Sequence, residues 1–137
     1  MGRINWGRIV PCGLVAGFVW TLLSSLVTVF VGHDFATAVP GNRLSAPSGG
    51  LVTFLFVVNL VEGIWAMWLY AAVRPRYGAG PKTAVMVGFS WWVISSLIDV
   101  TWGAFGFVPA GALLGPIVGS LPAIVVAALA GAWLYKE

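Results

Sequence analysis

Four long apolar stretches divide the chain, at about residues 11–31, 51–73, 84–102 and 112–135, and most polar residues gather between them. A helix needs about 20 apolar residues to cross roughly 30 Å of hydrocarbon, and each stretch has that length. The pattern predicts an all-α integral membrane protein: four transmembrane helices in a single domain over residues 1–137. The connections are rich in turn formers. HDFATAVPGNRLSAPSGG, from His33, should join the first two spans on one side of the membrane, and RPRYGAGPKT should join the second and third on the other. In the latter, Pro75 is expected to stop a helix, Gly78 and Gly80 to turn the chain, and Pro81 to open the next helix. Trp68 and Tyr70 are expected at the membrane interface, where amphipathic rings gather.

Composition agrees with lipid as the solvent. Only 8% of the 137 residues are charged, against about 25% in a soluble domain whose surface must face water. The net charge of +3 does not indicate nucleic acid, because the basic residues are distributed as topology determinants. Arg3 and Arg8 precede the first span, Arg74, Arg76 and Lys82 lie between the second and third, and Lys136 follows the fourth; only Arg43 falls on the opposite side. That asymmetry predicts cytoplasmic N- and C-termini and a cytoplasmic basic loop. The first apolar run is longer than a signal-peptide core and lacks a small-residue cleavage site after it, so it is expected to remain as a span. Cys12 is the only cysteine and reads as a small apolar residue near a helix start.

Small residues mark where helices can approach. Gly13 and Gly17 form a GxxxG pair in the first span. Gly111, Gly115, Gly119, Ala123, Ala127 and Gly131 recur every four residues along the fourth, a narrow face without bulk through which the protein could also associate. Pro122 should bend that span. An internal duplication is also legible. GFVWTLLSSL from Gly17 matches GFSWWVISSL from Gly88 at six of ten positions, and Trp68-Leu69-Tyr70 recurs as Trp133-Leu134-Tyr135. The reading is two parallel helical-hairpin repeats about an axis along the membrane normal; chance similarity of tryptophan-rich apolar runs is the alternative. Aligning the two WLY endings sets Glu62 opposite Ala127 and Asn59 opposite Ile124.

Glu62 is the residue that this pattern does not explain. It lies about 11 residues from either end of its span, near mid-bilayer, where a charge costs at least about 2.5 kcal/mol. A neutral, hydrogen-bonded carboxyl is therefore expected. Asn59 is one turn away, Ser24, Ser25, Ser95 and Ser96 can offer hydroxyls at similar heights, and Asp99 lies about one turn beyond the serines. Together these form a candidate polar track that stops half-way through the membrane. Catalysis is not expected: one Cys and one His are not placed to cooperate, His33 with Asp34 leaves most positions of a metal site open, and neither a metal nor a cofactor is indicated. A basic, glycine-containing loop can grip an anionic head group, but it lacks a P-loop pattern and reads first as topology-setting charge.

The run Trp68-Leu69-Tyr70-Ala71-Ala72-Val73-Arg74-Pro75-Arg76-Tyr77-Gly78-x-Gly80-Pro81-Lys82-Thr83-Ala84, with Asn5, Trp6, Arg8 and Gly13 near the start, resembles a family of small bacterial four-transmembrane-helix proteins to which no activity is assigned. The resemblance implies a bacterial inner-membrane location and no particular chemistry, and Glu62 is outside the pattern. The small multidrug transporters are similar in size but place their acid in the first span, which here has none. The first functional reading is an accessory or structural component of a larger membrane complex or homo-oligomer. The second is a proton-linked small-molecule carrier or channel using Glu62.

Overall fold

The computed structural model describes residues 4–31 and 48–135. Arg3, Arg43, Lys136, His33 and Asp34, together with most of the connection between the first two spans, lie outside the described residues. Four helices follow in order: α1 (Trp6–Val31), α2 (Gly49–Tyr77), α3 (Pro81–Ala104) and α4 (Ala110–Leu134). Each is long and apolar enough to cross a membrane. Even the 24-residue α3 is about 36 Å long, which exceeds the hydrocarbon core. Large apolar side chains such as Phe30, Phe54, Leu114 and Val118 point outward.

The helix ends follow local chemistry. Ser48 caps α2 by accepting from the Leu51 N–H at 3.3 Å, and Pro81 begins α3 where its missing N–H is not needed. One boundary differs from expectation. Pro75 does not stop α2, which runs on to Tyr77. A proline so near the C-terminal end removes a single bond, and the last turn is closed by the Gly78 N–H donating to the Arg74 carbonyl at 2.8 Å. Gly78 then takes φ 87°, which favours glycine, and turns the chain.

The helices do not pack evenly. α1 lies along both α2 and α4, α3 lies along α4, and the contacts of α2 with α3 and with α4 are slight. The best-packed region is the end that carries the basic residues, where Ile9, Cys12, Ala16, Ala66, Met67, Tyr70, Ala84, Val87, Ala132 and Tyr135 form one buried cluster. Tyr70 therefore stands inside the bundle. It meets Tyr135 edge-to-face at 5.9 Å, and its hydroxyl accepts from the Gly80 N–H at 3.1 Å. The Thr83 hydroxyl donates to the Gly78 carbonyl at 2.8 Å, tying the same short loop to the start of α3.

Glycine contacts explain the two tight seams. A β-carbon on Gly17 would lie 2.5 Å from the Asn59 carbonyl oxygen and 2.6 Å from the Leu60 Cα. One on Gly13 would strike the Ile64 backbone. α1 and α2 thus touch backbone to backbone, the geometry small residues permit. On the other hairpin, a β-carbon on Gly88 would lie 2.9 Å from the Val125 Cα. The α4 stripe is occupied within the chain: Gly119 and Gly115 meet Val27 and Val31, and Gly131 meets Ala16 and Cys12, all of α1. Gly111 has nothing within 4 Å of its β-position.

Candidate functional site

Where α2 and α3 part, they leave a cleft of about 360 Å³. Its floor is close to the packed cluster: Ala66 belongs to both, and Glu62 comes one turn further out. Val57, Val58, Val61, Glu62, Trp65 and Leu69 line one side from α2, and Trp91 and Ile94 line the other from α3. Val61, Trp65 and Ile94 are also exposed on the outside of the bundle, Trp65 at 56% and Ile94 at 59%. The cleft therefore opens sideways, onto the outer surface of the bundle, and not along the helix axes. Glu62 is the one acid in an otherwise apolar and aromatic lining.

The carboxyl also has a neighbour on α1. The Trp20 indole of α1 lies near enough to interact with the Glu62 carboxyl, and the Trp20 ring meets Trp91 edge-to-face at 5.8 Å. Trp20 thus links all three helices around the acid. An aromatic pair of this geometry adds about 0.5–1.5 kcal/mol beyond area burial.

Asn59 faces elsewhere. Its side-chain NH₂ donates to the Thr21 hydroxyl at 3.2 Å, an interhelical bond between α2 and α1. With Thr21, Ser24, Ser25, Thr28 and Thr53 it lines a separate groove between those helices. The hydroxyls there are largely committed to their own helix: Ser24 and Ser25 donate to the Thr21 carbonyl at 3.1 and 2.8 Å, and Thr28 donates to Ser24 at 2.9 Å. Ser95 and Ser96 are on α3 outside the cleft lining. The Ser96 hydroxyl is buried without a hydrogen-bond partner. Asp99 is half-buried, further along α3. The structure thus distributes the polar residues over separate surfaces and does not bring the serines into one cavity with Glu62. Arg74 and Arg76 lie at the packed end over the rings of Tyr135 and Tyr77, at 5.5 and 5.8 Å, and Lys82 is in the first turn of α3.

Trp20, Trp65 and Trp91 are site residues that the sequence pattern did not single out as such. The available signal was spacing: Trp65 is three residues from Glu62 on the same helix. Among the described residues no group of three or more His, Cys, Asp or Glu could hold a metal ion. No protein-family model matches the chain, and comparison with curated proteins and with solved structures returns no match.

Proposed function

We propose that this chain is a small multi-pass membrane protein that admits a small molecule sideways into the α2–α3 cleft, with Glu62 as both its polar anchor and a proton-handling group. The observation that carries this reading is the divergence of Glu62 and Asn59. Each has a partner on α1, Thr21 for Asn59 and Trp20 for Glu62, and each borders a groove, but Asn59 sits among hydroxyls whereas Glu62 is the one ionisable group in an apolar and aromatic cleft. A carboxyl facing a cavity at mid-span is costly unless something uses it. The order of the two functional readings is thereby reversed in favour of the proton-linked carrier. The test is Glu62→Gln in reconstituted vesicles with an internal pH dye. Proton movement should be lost while the protein extracts and assembles as before, since Gln fills the same volume. Equal proton movement in both proteins would refute the carrier.

The accessory-subunit reading keeps one specific support: Val61, Trp65 and Ile94 offer a parted seam into which a partner helix fits. Native mass in mild detergent separates the two. A fixed hetero-complex favours the subunit, and a monomer or homodimer favours the carrier.

The orientation belongs with this proposal. Arg8, Arg74, Arg76 and Lys82 share one end of the bundle, which supports that end as cytoplasmic, and the inner membrane of a bacterium is the location that the loop resemblance implies. So does the repeat. Gly17 packs on Asn59 and Leu60, and Gly88 packs on Ile124 and Val125. Those are the positions that the two alignments pair. Tyr70 meets Tyr135 and Trp20 meets Trp91, as residues near a two-fold axis meet their own equivalents.

A further inference from the structure

Four features of the cleft restrict what it can hold. Its volume of about 360 Å³ is within the range of about 300–1,000 Å³ of small-molecule sites. It opens to lipid, so its occupant arrives dissolved in the bilayer. Glu62 is 13 residues from the start of α2 and 15 from its end, which puts it about 20 Å from either helix end; lipid head groups do not reach that depth. Finally, the lining supplies one polar side chain and no counter-charge. α1 presents Trp20 to Glu62, α3 presents Trp91 and Ile94, α2 itself presents Val58, Val61, Trp65 and Ala66, and α4 contributes nothing to the lining. None of those neighbours titrates. Asp99 is eight residues beyond Trp91, about 12 Å along α3.

A charged occupant would have to shed its hydration before meeting its partner, and a lone carboxylate would wait for it in hydrocarbon. A neutral carboxylic acid avoids both costs. The neighbouring Trp20 indole can only donate to the carboxyl, which leaves the acid O–H as the group to offer the cleft. The complement of one hydrogen-bond donor among valines and indoles is one acceptor on an otherwise apolar, ring-bearing molecule.

We propose that the α2–α3 cleft binds a neutral, membrane-dissolved aromatic ketone or quinone, whose carbonyl oxygen accepts a hydrogen bond from Glu62 and whose ring lies against Trp65 and Trp91. This names the ligand class of the cleft assigned above and rests on that assignment; it needs no proton flux.

Benzophenone tests it directly, being a neutral aromatic ketone that inserts into nearby C–H bonds on irradiation. The full chain is labelled in detergent or nanodiscs and the adducts are mapped by peptide mass spectrometry. Adducts should concentrate on Val57, Val61 and Ile94, and decylubiquinone should compete while diphenylmethane, which lacks the carbonyl, should not. Glu62→Leu should weaken competition about tenfold, the value of one neutral hydrogen bond. Glu62→Gln should restore most of it, because the amide still donates. Should Glu62→Leu not fold, the competition series on the unaltered protein still decides. Equal competition by diphenylmethane, or better competition by tetraphenylphosphonium, would overturn the ligand class while leaving the cleft assigned. Adducts spread evenly over the lipid-facing surface would overturn both.

Discussion

Replacing Gly63 by alanine probes the tightest point of the bundle. A β-carbon there would fall on the Gly13 carbonyl oxygen and on the Gly17 backbone nitrogen, neither of which can rotate away. The reciprocal position gives the scale. A β-carbon on Gly17 would sit 2.5 Å from the Asn59 oxygen, where ordinary contact begins at 3.4 Å, so 3.4 − 2.5 leaves the helices 0.9 Å too close. Parting α1 and α2 by that distance loses packing on both sides, and overpacking of this kind costs about 1–3 kcal/mol. Alanine recovers up to about 1 kcal/mol through its better helix propensity. From the middle of both ranges the expected net loss is about 1.5 kcal/mol, or about tenfold in the folding equilibrium. Equilibrium unfolding in mixed SDS and non-denaturing micelles, followed by circular dichroism, measures it. Gly111→Ala is the control, because nothing lies within 4 Å of its β-position, and it should be neutral or slightly stabilising. If the two variants unfold together, backbone contact between α1 and α2 is not what holds this hairpin.

Three further outcomes are expected. Trp92→Phe removes the indole N–H that donates to the Ile117 carbonyl at 2.8 Å and should cost about 0.5–1.5 kcal/mol in the same unfolding assay. Asn59→Ala should cost about 0.6 kcal/mol, the mean for interhelical side-chain hydrogen bonds in membranes, and leave benzophenone labelling of the cleft unchanged; lost labelling would mean that the two grooves are one site. Reporter fusions at Gly80 and Asn42 should map to opposite compartments, Gly80 to the cytoplasm, and a shared compartment would remove the basis for placing Glu62 at mid-bilayer.

The four helices were legible because an apolar run of this length has to satisfy its backbone within itself, so hydropathy alone marks helices. Their ends were less so. α1 begins at Trp6, five residues before the apolar run suggested, because the Asn5 carbonyl already accepts from Arg8 and Ile9 at 3.1 and 3.0 Å. Gly13 and Gly17 were visible as a pair, but Gly63, the knob that fits against them, has no small residue four positions away and belongs to no motif. A GxxxG pair states that something approaches, not what. Tyr70 was similarly opaque: a tyrosine near a span end looks the same whether its hydroxyl meets water or a Gly80 amide.

Glu62 and Asn59 show the deeper reason that a site resists reading from one strand of text. Three residues apart on a helix, they point about 60° from one another, close enough to count as one face by periodicity. α1 lies on α2 along Asn59, Leu60, Gly63 and Ile64, so Asn59 joins that seam while Glu62, turned further from it, borders the cleft. Which neighbour lies on which side is a property of the assembled bundle. The seams themselves explain the asymmetry. On the alignment of the WLY endings, Ala127 occupies the place of Glu62. It is fully buried on α4, along the stripe on which Gly119 and Gly131 meet α1. A methyl group allows that seam to close. A glutamate at the corresponding place in α2 is too large for the same approach, and its carboxyl needs a partner that α3 does not provide. On that alignment a buried methyl stands where α4 closes on α1, and Glu62 stands where α2 and α3 part.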